Sequence, residues 1–442
     1  MRRFIIEGYL VLKPDLPVDF HGRIYHRLEE VLAGGNPGNN LLPRVPELQH
    51  VLDHPAVHGA LTSLLGSDYY LHLHRHVHAN PPGSKGQNLH KDSLYNSRFA
   101  VDEKRRHHRT RWLMLFYYPQ DTPLELGPTA ILPRSQYLNT QWPEGQDELP
   151  LCGEAGTVTI VHYDLLHRGM ANSSDRMRYM AKFLFTRMTE PQAPNWDHRD
   201  PTWPMTGDPQ DGTWRHLWDW HRGAADAGEP RTDLPIAVLA DRLRDEAEII
   251  ALHASYELGT RGEAAIPALM EALNEESDAA PRNAAYAFNR IGPAAVPALL
   301  QAAGDGEPRV RARALDVLGD LGLAAASAVP DLIEGLRDDA EDPRRRATEA
   351  LGTAGQAEAE IAAPLAVALQ SDPSGEVRRN AALSLARLGP KAAAAVLALA
   401  RGMTDENHYV RGFSVYALSR IGTPAATQAL VKHLQTMRWD WA

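Results

Sequence analysis

A histidine and an aspartate two residues apart, His90 and Asp92, are the residues of this sequence whose types and spacing first suggest chemistry. In an extended segment, residues i and i+2 project from the same face, with side-chain origins roughly 6–7 Å apart. Two such ligands can close on one metal ion from a single short segment. A third ligand must come from elsewhere, and the best candidate is His167. The pattern predicts a metal site.

The predicted ligand set indicates a particular kind of metal chemistry. Two imidazoles and one carboxylate on one face of an ion leave the opposite coordination positions open for substrate and oxygen, as in non-haem Fe(II) oxygenases. A row of four histidines on a predicted strand is an alternative metal site: His72, His74, His76 and His78. Neighbouring imidazoles on one flat strand rarely converge on one ion. We therefore expect this row to line a polar pocket, with His76 or His78 approaching cofactor or substrate.

Composition excludes several other classes of site and partner. The single cysteine, Cys152, rules out a disulfide framework or a cysteine-based zinc or iron–sulfur site within the chain. A formal net charge of −10 argues against general attraction to nucleic acid or to an anionic membrane. No run of about 18 apolar residues is present, and the first residues lack the apolar core of a signal peptide. We expect a cytoplasmic protein.

The elements that must position the metal ligands lie in the first half of the 442 residues, a length that predicts two or three domains. Apolar spacing of three to four predicts helices at residues 22–32 and 55–65. The predicted strands are residues 8–12, 71–78, 112–118, 130–133, 156–161 and 178–187. Short strands separated by turns indicate a sandwich or jelly roll.

Four groups of residues in this half carry a family resemblance. They are residues 8–12; Pro81-Pro82-Gly83 with Gln87, His90, Lys91 and Asp92; Gly127-Pro128-Thr129 with Pro133 and Ser135; and His167 with Asn172, Ser174 and Arg178. In this order, residues 1–190 resemble the phytanoyl-CoA dioxygenase family of Fe(II)- and 2-oxoglutarate-dependent oxygenases. The interval of 11 residues from His167 to Arg178 is typical of that family. The resemblance implies a double-stranded β-helix (jelly roll) with flanking helices.

The resemblance also implies roles for individual residues. His90, Asp92 and His167 would bind Fe(II), and Arg178 would pair with the distal carboxylate of 2-oxoglutarate, which a planar guanidinium holds through two parallel hydrogen bonds. Related halogenases have a small residue in place of the acidic ligand, so Asp92 favours oxygenation. The implied reaction consumes O2, converts 2-oxoglutarate to succinate and hydroxylates an unactivated C–H bond. Desaturation and ring closure are alternatives.

Other residues near the implied site have less specific roles. Gln87, three residues before the first ligand, stands where relatives contact the cosubstrate, and Thr129 is a second candidate of this kind. Arg176 and Arg187 are alternatives to Arg178, but we expect both to be solvated or paired at the surface. The charged segment 102–109 could receive a carboxylate or phosphate, although we favour a solvated loop. The tryptophan-rich tail 196–220 could cover the pocket or contact the second half, although its aromatic density favours packing.

The second half has a different composition and an internal repeat. After the first domain (residues 1–222) and a polar linker (223–237), residues 238–442 are rich in Ala, Leu and Arg. Apolar–glycine steps recur every 30–34 residues, at Gly259, Gly292, Gly322, Gly355, Gly389 and Gly422. This period predicts an all-α solenoid of about six repeats. Val-Arg pairs such as Val310-Arg311 resemble those of HEAT repeats.

Acidic and basic residues also recur through the solenoid. Aspartate and arginine stand six residues apart in successive repeats, as Asp305/Arg311, Asp339/Arg345, Asp372/Arg378 and Asp405/Arg411. We expect these residues to form a ladder between neighbouring repeats rather than a nucleic-acid surface.

The sequence as a whole predicts a multidomain α+β chain that acts on a small molecule in specialised biosynthesis. Its repeats would bind a protein partner or a second copy of the chain. One alternative is a non-catalytic scaffold or binding protein. Another is an oxygenase whose protein- or nucleic-acid-borne substrate is held by the repeats, and the acidic balance weighs against nucleic acid.

Overall fold

The computed structural model describes residues 1–17, 19–92, 108–139, 147–197, 200–224, 228, 232–304 and 306–436. The chain divides into two compact units. The first comprises Met1–Asp226 with Ala247–Ile249, and the second Ala227–Glu246 with Ile250–Ala442. The first unit contains both helices and strands, and the described part of the second is helical.

Eight strands form two antiparallel sheets in the first unit. They are β1 (Tyr9–Leu12), β2 (Tyr69–Asn80), β3 (Trp112–Tyr117), β4 (Thr129–Ile131), β5 (Leu149–Pro150), β6 (Val158–His162), β7 (His167–Gly169) and β8 (Arg178–Arg187). The larger sheet has the order β1-β6-β3-β8-β2, and the smaller has the order β5-β4-β7. β3, β6 and β8 are buried along their whole length, as expected for the inner strands of a covered sheet.

Six helices flank these sheets. They are α1 (Arg2–Glu7), α2 (Phe20–Ala33), α3 (Leu41–Arg44), α4 (Leu48–Leu52), α5 (Pro55–Leu65) and α6 (Asp211–His221). The apolar residues Ile24, Leu28 and Val31 of α2 recur at a spacing of three to four and are all buried, so this face of the helix enters the core.

Alternate residues of the inner strands divide between the two faces of the larger sheet. Leu115 of β3 and Phe183 of β8 pack with residues of α2, α4 and α5 in one hydrophobic core. Phe116 is adjacent to Leu115 in β3, and Lys182 is adjacent to Phe183 in β8. Both face the opposite side of the sheet and line a pocket. The sheet therefore has one face for the core and one for the candidate site.

The structure agrees with most of the predicted elements and adds short ones. The strand 178–187 and the helix 55–65 have their predicted bounds, and the helix 22–32 extends to Phe20–Ala33. β5, β7 and α1 were not predicted. The row of four histidines is not a regular strand face, because the pairing of β2 with β8 shifts between Leu71 and Arg75.

The tryptophan-rich tail packs within the first unit, as its aromatic density predicted. Trp214 and Trp218 of α6 are almost completely buried. The Arg2 guanidinium of α1 lies 4.9 Å from the centre of the Trp218 ring, and the Trp218 indole N–H donates to the Pro201 carbonyl at 2.9 Å. None of the described tryptophans is among the residues that line the candidate site.

The second unit is a series of helices. They are α7 (Ile236–Arg242), α8 (Glu248–Gly259), α9 (Ile266–Leu273), α10 (Ala279–Ile291), α11 (Val296–Ala303), α12 (Pro308–Leu321), α13 (Val329–Gly335), α14 (Glu341–Ala354), α15 (Ala362–Ser371), α16 (Gly375–Leu388), α17 (Val396–Gly402), α18 (His408–Ile421) and α19 (Pro424–Thr436). Gly259 is the last residue of α8, and each of the other five repeated glycines directly follows a helix.

The predicted ladder between repeats is present, with one change of register. Arg378 pairs through two hydrogen bonds with Asp405 of the next repeat, at 2.8 and 3.1 Å. In the preceding repeat, Arg344 and not Arg345 pairs with Asp372, at 2.8 and 3.3 Å. Asp338 and Arg344 thus take the ladder positions that the six-residue interval gave to Asp339 and Arg345, and Arg345 bonds to Asp342 within its own helix. Asp305 lies outside the described residues.

One run in the described part of the chain, Gly375–Gly402, is long and apolar enough to cross a membrane. It comprises α16 and α17 of the repeats with the 3-10 turn between them, and 72% of its most apolar window is buried inside the structure. Buried helices of soluble proteins pass the same test, so this run is only a weak indication of a membrane span.

Candidate metal centre

The three predicted metal ligands converge. One ligand atom from each of His90, Asp92 and His167 lies within 4.8 Å of the other two. Asp92 Oδ1 is 3.9 Å from His90 Nε2 and 3.7 Å from His167 Nε2. The two imidazole ring centres are 4.6 Å apart. A carboxylate oxygen and two imidazole nitrogens thus face one small space.

Backbone pairing brings the two histidines together. His90 and His167 form an antiparallel bridge in which each backbone N–H donates to the other's carbonyl at 2.9 Å. The Gln87 N–H also donates to the Gly169 carbonyl, at 2.8 Å. The segment before Asp92 therefore lies along β7, at the edge of the smaller sheet. The pairing places two residues 77 positions apart side by side.

Hydrogen bonds at the far side of each imidazole select the tautomer that a metal requires. His90 Nδ1 lies 2.8 Å from the Asn88 carbonyl, and His167 Nδ1 lies 2.9 Å from the Leu165 carbonyl. A carbonyl only accepts, so each Nδ1 carries the proton and each Nε2 keeps its lone pair. Both Nε2 atoms are the ones that face Asp92.

Burial and charge set the ionisation of the site. Burial lowers the pKa of His167 to about 4, despite the opposing effect of Asp92, so this imidazole is neutral at neutral pH. Burial alone would raise the pKa of Asp92, but Lys182, His167 and His90 together hold it well below its usual range. Lys182 donates a hydrogen bond to Asp92 Oδ2. The site therefore offers one carboxylate and a neutral His167.

Arg178 is in the same pocket and has no carboxylate partner among the described residues. Its Nε donates to the Gly127 carbonyl at 3.0 Å, and one Nη donates to the His78 carbonyl at 3.4 Å. The Asn80 side chain also donates to the Gly127 carbonyl, at 3.1 Å, which fixes the turn before β4. Burial lowers the pKa of Arg178, but a guanidinium remains charged.

A cavity of about 30 Å³ joins these groups. Its walls are His78, Gln87, His90, Asp92, Phe116, Thr129, His167, Gly169, Arg178, Met180 and Lys182. Gln87 accepts the Gly169 N–H through its side-chain oxygen at 3.0 Å, and Thr129 is buried opposite Gly169 in β4. All six predicted site residues thus border one pocket.

The remaining sequence candidates lie elsewhere or outside the described residues. Arg176 is exposed, as expected, but Arg187 is buried, donates to the Leu64 carbonyl at 2.9 Å and lies over the Trp220 ring. Its predicted surface position is wrong, because the tail covers it. Of the histidine row, only His78 borders the pocket. In the charged segment, residues 102–107 lie outside the described residues.

Sequence reasoning missed Lys182 and Met180. Both follow Arg178 at steps of two in β8, and residues at that spacing share a face of a strand. Because Arg178 was predicted to line the site and residues 178–187 were predicted to form a strand, the two-residue spacing could have placed Met180 and Lys182 in the same pocket.

Two family models match parts of the chain. The family model for phytanoyl-CoA dioxygenase (PhyH) matches residues 33–180, and that for HEAT repeats matches residues 266–352 and 362–442. No curated protein matches the sequence significantly.

Several solved structures are similar to part of the chain at low identity. The 2-oxoglutarate-dependent carbocyclase SnoK of nogalamycin biosynthesis is 19% identical with a TM-score of 0.35, and the match covers 42% of this chain and 83% of SnoK. The epimerase SnoN of the same biosynthesis is 18% identical with a TM-score of 0.35, covering 47% and 93%. EctD from S. alaskensis, solved with bound Fe, is 15% identical with a TM-score of 0.35, covering 45% and 79%.

The family assignment rests on the two family models. Residues 33–180 form a phytanoyl-CoA dioxygenase (PhyH) family domain, in a chain whose helical part carries HEAT repeats.

Proposed function

We propose that this protein is an Fe(II)- and 2-oxoglutarate-dependent dioxygenase that hydroxylates an unactivated C–H bond of a small molecule in specialised metabolism. The observation that carries the proposal is the convergence of His90, Asp92 and His167 within 4.8 Å, in a pocket that also contains Arg178. We further propose that the two sheets form a double-stranded β-helix and that the chain acts in the cytoplasm.

The donor set fits Fe(II). Two imidazole nitrogens with free lone pairs and one carboxylate oxygen are the ligands of the facial triad, and His90, Asp92 and His167 would supply them. When bound, Fe(II) with 2-oxoglutarate and O2 supplies the oxidation that no protein side chain can perform. The carbonyls of Asn88 and Leu165 hold the two imidazoles in the tautomer that binds metal.

The other pocket residues would hold and shield the cosubstrate. Arg178 has a buried guanidinium whose hydrogen-bond partners among the described residues are backbone carbonyls, which suits a bidentate pair with the distal carboxylate of 2-oxoglutarate. Gln87 uses its side-chain oxygen on Gly169, so its amide NH2 group would donate to the cosubstrate. Thr129 would contact it from the wall of the pocket. Phe116 and Met180 make part of that wall apolar and would exclude water.

The repeats suggest a second property of the molecule. HEAT repeats form extended surfaces that commonly bind proteins. We propose that residues 238–442, joined to the domain of residues 1–222 by the linker 223–237, bind a protein partner or a second copy of the chain.

Succinate release tests the proposed activity. The full chain with 2-oxoglutarate, supplied with Fe(II) under air, is expected to release succinate, and the same chain with a chelator is not. His90→Ala and Asp92→Ala should each abolish this release and leave the helical circular dichroism of the repeats unchanged. Full activity in either variant would remove the site assignment. No release by the wild-type chain, with metal bound, would favour the non-catalytic scaffold.

A further inference from the structure

Lys182 is a buried cationic group in the pocket that the proposed reaction does not use. It lies on the pocket face of β8, four residues after Arg178, and its side chain is 7% exposed. Its backbone is paired between His76 of β2 and Phe116 of β3. Within the described residues, the only acceptor of a Lys182 hydrogen bond is Asp92.

The hydrogen bond divides the two oxygens of Asp92 between different partners. Lys182 donates to Oδ2, whereas Oδ1 is the atom that faces the Nε2 atoms of His90 and His167. A carboxylate can bind a metal through one oxygen or through both. Because the Lys182 ammonium group is bonded to Oδ2, Oδ1 is the carboxylate oxygen left to bind a metal between the two imidazoles.

The number of open coordination positions makes this division important. In a six-coordinate ion, three single-atom protein ligands leave three positions. The 2-oxoglutarate chelate takes two, and one remains for O2. An aspartate bound through both oxygens would occupy the third position.

We propose that Lys182 is a positioning residue that restricts Asp92 to binding the metal through Oδ1 alone, and so keeps the coordination position for O2 open. This inference rests on the proposed function, because it requires a metal held by the three ligands. It concerns the binding mode of Asp92, which a residue that merely stabilises the fold would not change.

Metal and cosubstrate binding by the full chain test the proposal. The probe is Co(II), which reports its coordination through its visible absorption spectrum, followed by titration of 2-oxoglutarate under anaerobic conditions. In Lys182→Met, Asp92 is free to bind through both oxygens and a nearby positive charge is removed, so Co(II) affinity should not fall. The Co(II) spectrum should change, both before and after 2-oxoglutarate is added, because the second oxygen of Asp92 would take the position that otherwise stays open beside the 2-oxoglutarate chelate.

Two further variants serve as controls. Lys182→Arg keeps a cationic donor and should restore the wild-type Co(II) spectrum, with and without 2-oxoglutarate. Lys13→Met removes an exposed lysine that pairs with Glu154, and should behave as the wild type. If Lys182→Met does not fold, Lys182→Gln removes the charge at nearly the same size and is measured in the same way.

Several outcomes would overturn the proposal. A wild-type spectrum in Lys182→Met, with and without 2-oxoglutarate, would show that Lys182 does not set the binding mode. Parallel losses of Co(II) and 2-oxoglutarate binding would show that it only supports the fold. X-ray absorption of the wild-type Co(II) protein with two bonds from Asp92 would exclude the proposal directly. Failure of the wild-type chain to bind Co(II) would instead remove the proposed metal site, and this inference with it.

Discussion

His162, at the end of β6, is a buried histidine that makes the unfolding free energy of the protein depend on pH. The side chain is 2% exposed, and burial lowers the pKa of its imidazole from 6.5 to about 4. Its Nδ1 accepts the Asp164 N–H at 3.2 Å, which requires the neutral form. Between these two pKa values the unfolded chain binds a proton that the folded chain does not, so stability falls as the pH falls through this window.

We expect His162→Gln to remove part of the acid sensitivity of the first unit. The contribution of this histidine between about pH 7 and pH 5 is about 2 kcal/mol. Urea unfolding of the wild type and the variant at both pH values measures it. His26→Gln, at an exposed position of α2, is the control and should keep the wild-type dependence. The same pH dependence in His162→Gln as in the wild type would contradict the assignment.

Lys91, between the two ligands of the first segment, is fully buried and points away from the metal site. Its ammonium donates to the Ser135 carbonyl at 2.7 Å and to the Leu138 carbonyl. It thereby ties the His90–Asp92 segment to the chain that follows β4. Lys91→Met leaves both carbonyls without this donor, and we expect it to cost about 2–4 kcal/mol of unfolding free energy.

The same substitution should weaken metal binding, because the ligand segment loses its anchor. Urea unfolding and Co(II) titration of the full chain measure the two effects. Wild-type stability together with wild-type Co(II) affinity in Lys91→Met would show that the segment is held by its pairing with β7 alone.

At the scale of single residues, chemical type predicted the ligands but not their surroundings. His90, Asp92, His167 and Arg178 could be assigned because their types and intervals are unusual together. The role of Lys182 could not, because it depends on the distance to an aspartate 90 positions earlier in the chain. Only the pairing of β8 with its neighbours fixes that distance.

Among the elements, the edge pairing between residues 86–90 and β7 determines whether the site forms. Gly86 has a φ of +79°, and a Cβ at this position would lie 2.7 Å from the Gly169 carbonyl oxygen and 2.9 Å from the Ala171 nitrogen. These are backbone atoms and cannot move aside. Gly83, three residues earlier, has a similar φ of +76° but nothing within 4 Å.

This pair of glycines provides a matched test of the pairing. Both Gly86→Ala and Gly83→Ala place alanine at positive φ, which costs on the order of 1–2 kcal/mol. Only Gly86→Ala should also push the segment away from β7, separate His90 from His167 and weaken Co(II) binding more than tenfold. Co(II) titration of the two variants measures the difference. Equal affinities would mean that the two histidines can meet without this close contact.

Two strands that the sequence did not predict, β5 and β7, have too weak a local pattern to be recognised. β5 has two residues and β7 has three, too few to show an alternation, and each exists through its pairing with β4. The longer elements, such as β8 and α5, have enough residues for their periodicity to fix both bounds. In β2, the shift opposite β8 depends on tertiary contacts that no local pattern contains.

For the molecule as a whole, the repeat period was readable from the sequence, but the exact partners in the ladder were not. Asp372 and Asp405 each have two roles: the carboxylate binds an arginine of the preceding repeat, and the carbonyl accepts from an arginine of its own repeat. Asp372 binds Arg344 through its carboxylate and accepts from Arg378 Nη1 through its carbonyl at 3.0 Å. The six-residue interval seen in the sequence corresponds to the contact between the aspartate carbonyl and the arginine of the same repeat. The first contact depends on how the repeats stack.

Arg378 joins both kinds of contact and should therefore be a sensitive position of the ladder. It pairs with Asp405, donates to the Glu406 carboxylate at 2.9 Å and donates to the carbonyl of Asp372. Arg378→Met leaves a largely buried aspartate without its partner, and we expect a loss of about 2–4 kcal/mol of unfolding free energy.

The last arginine of the ladder offers the matched control for this prediction. Arg411 is exposed and donates only to the carbonyls of Asp405 and Glu406, at 2.7 and 3.0 Å. Arg411→Met should cost at most about 1 kcal/mol, because water can replace its hydrogen bonds. Urea unfolding followed by far-UV circular dichroism, which the helices of the repeats dominate, compares the two variants. Equal losses of unfolding free energy in the two variants would mean that the carboxylate pairing between repeats does not stabilise the array.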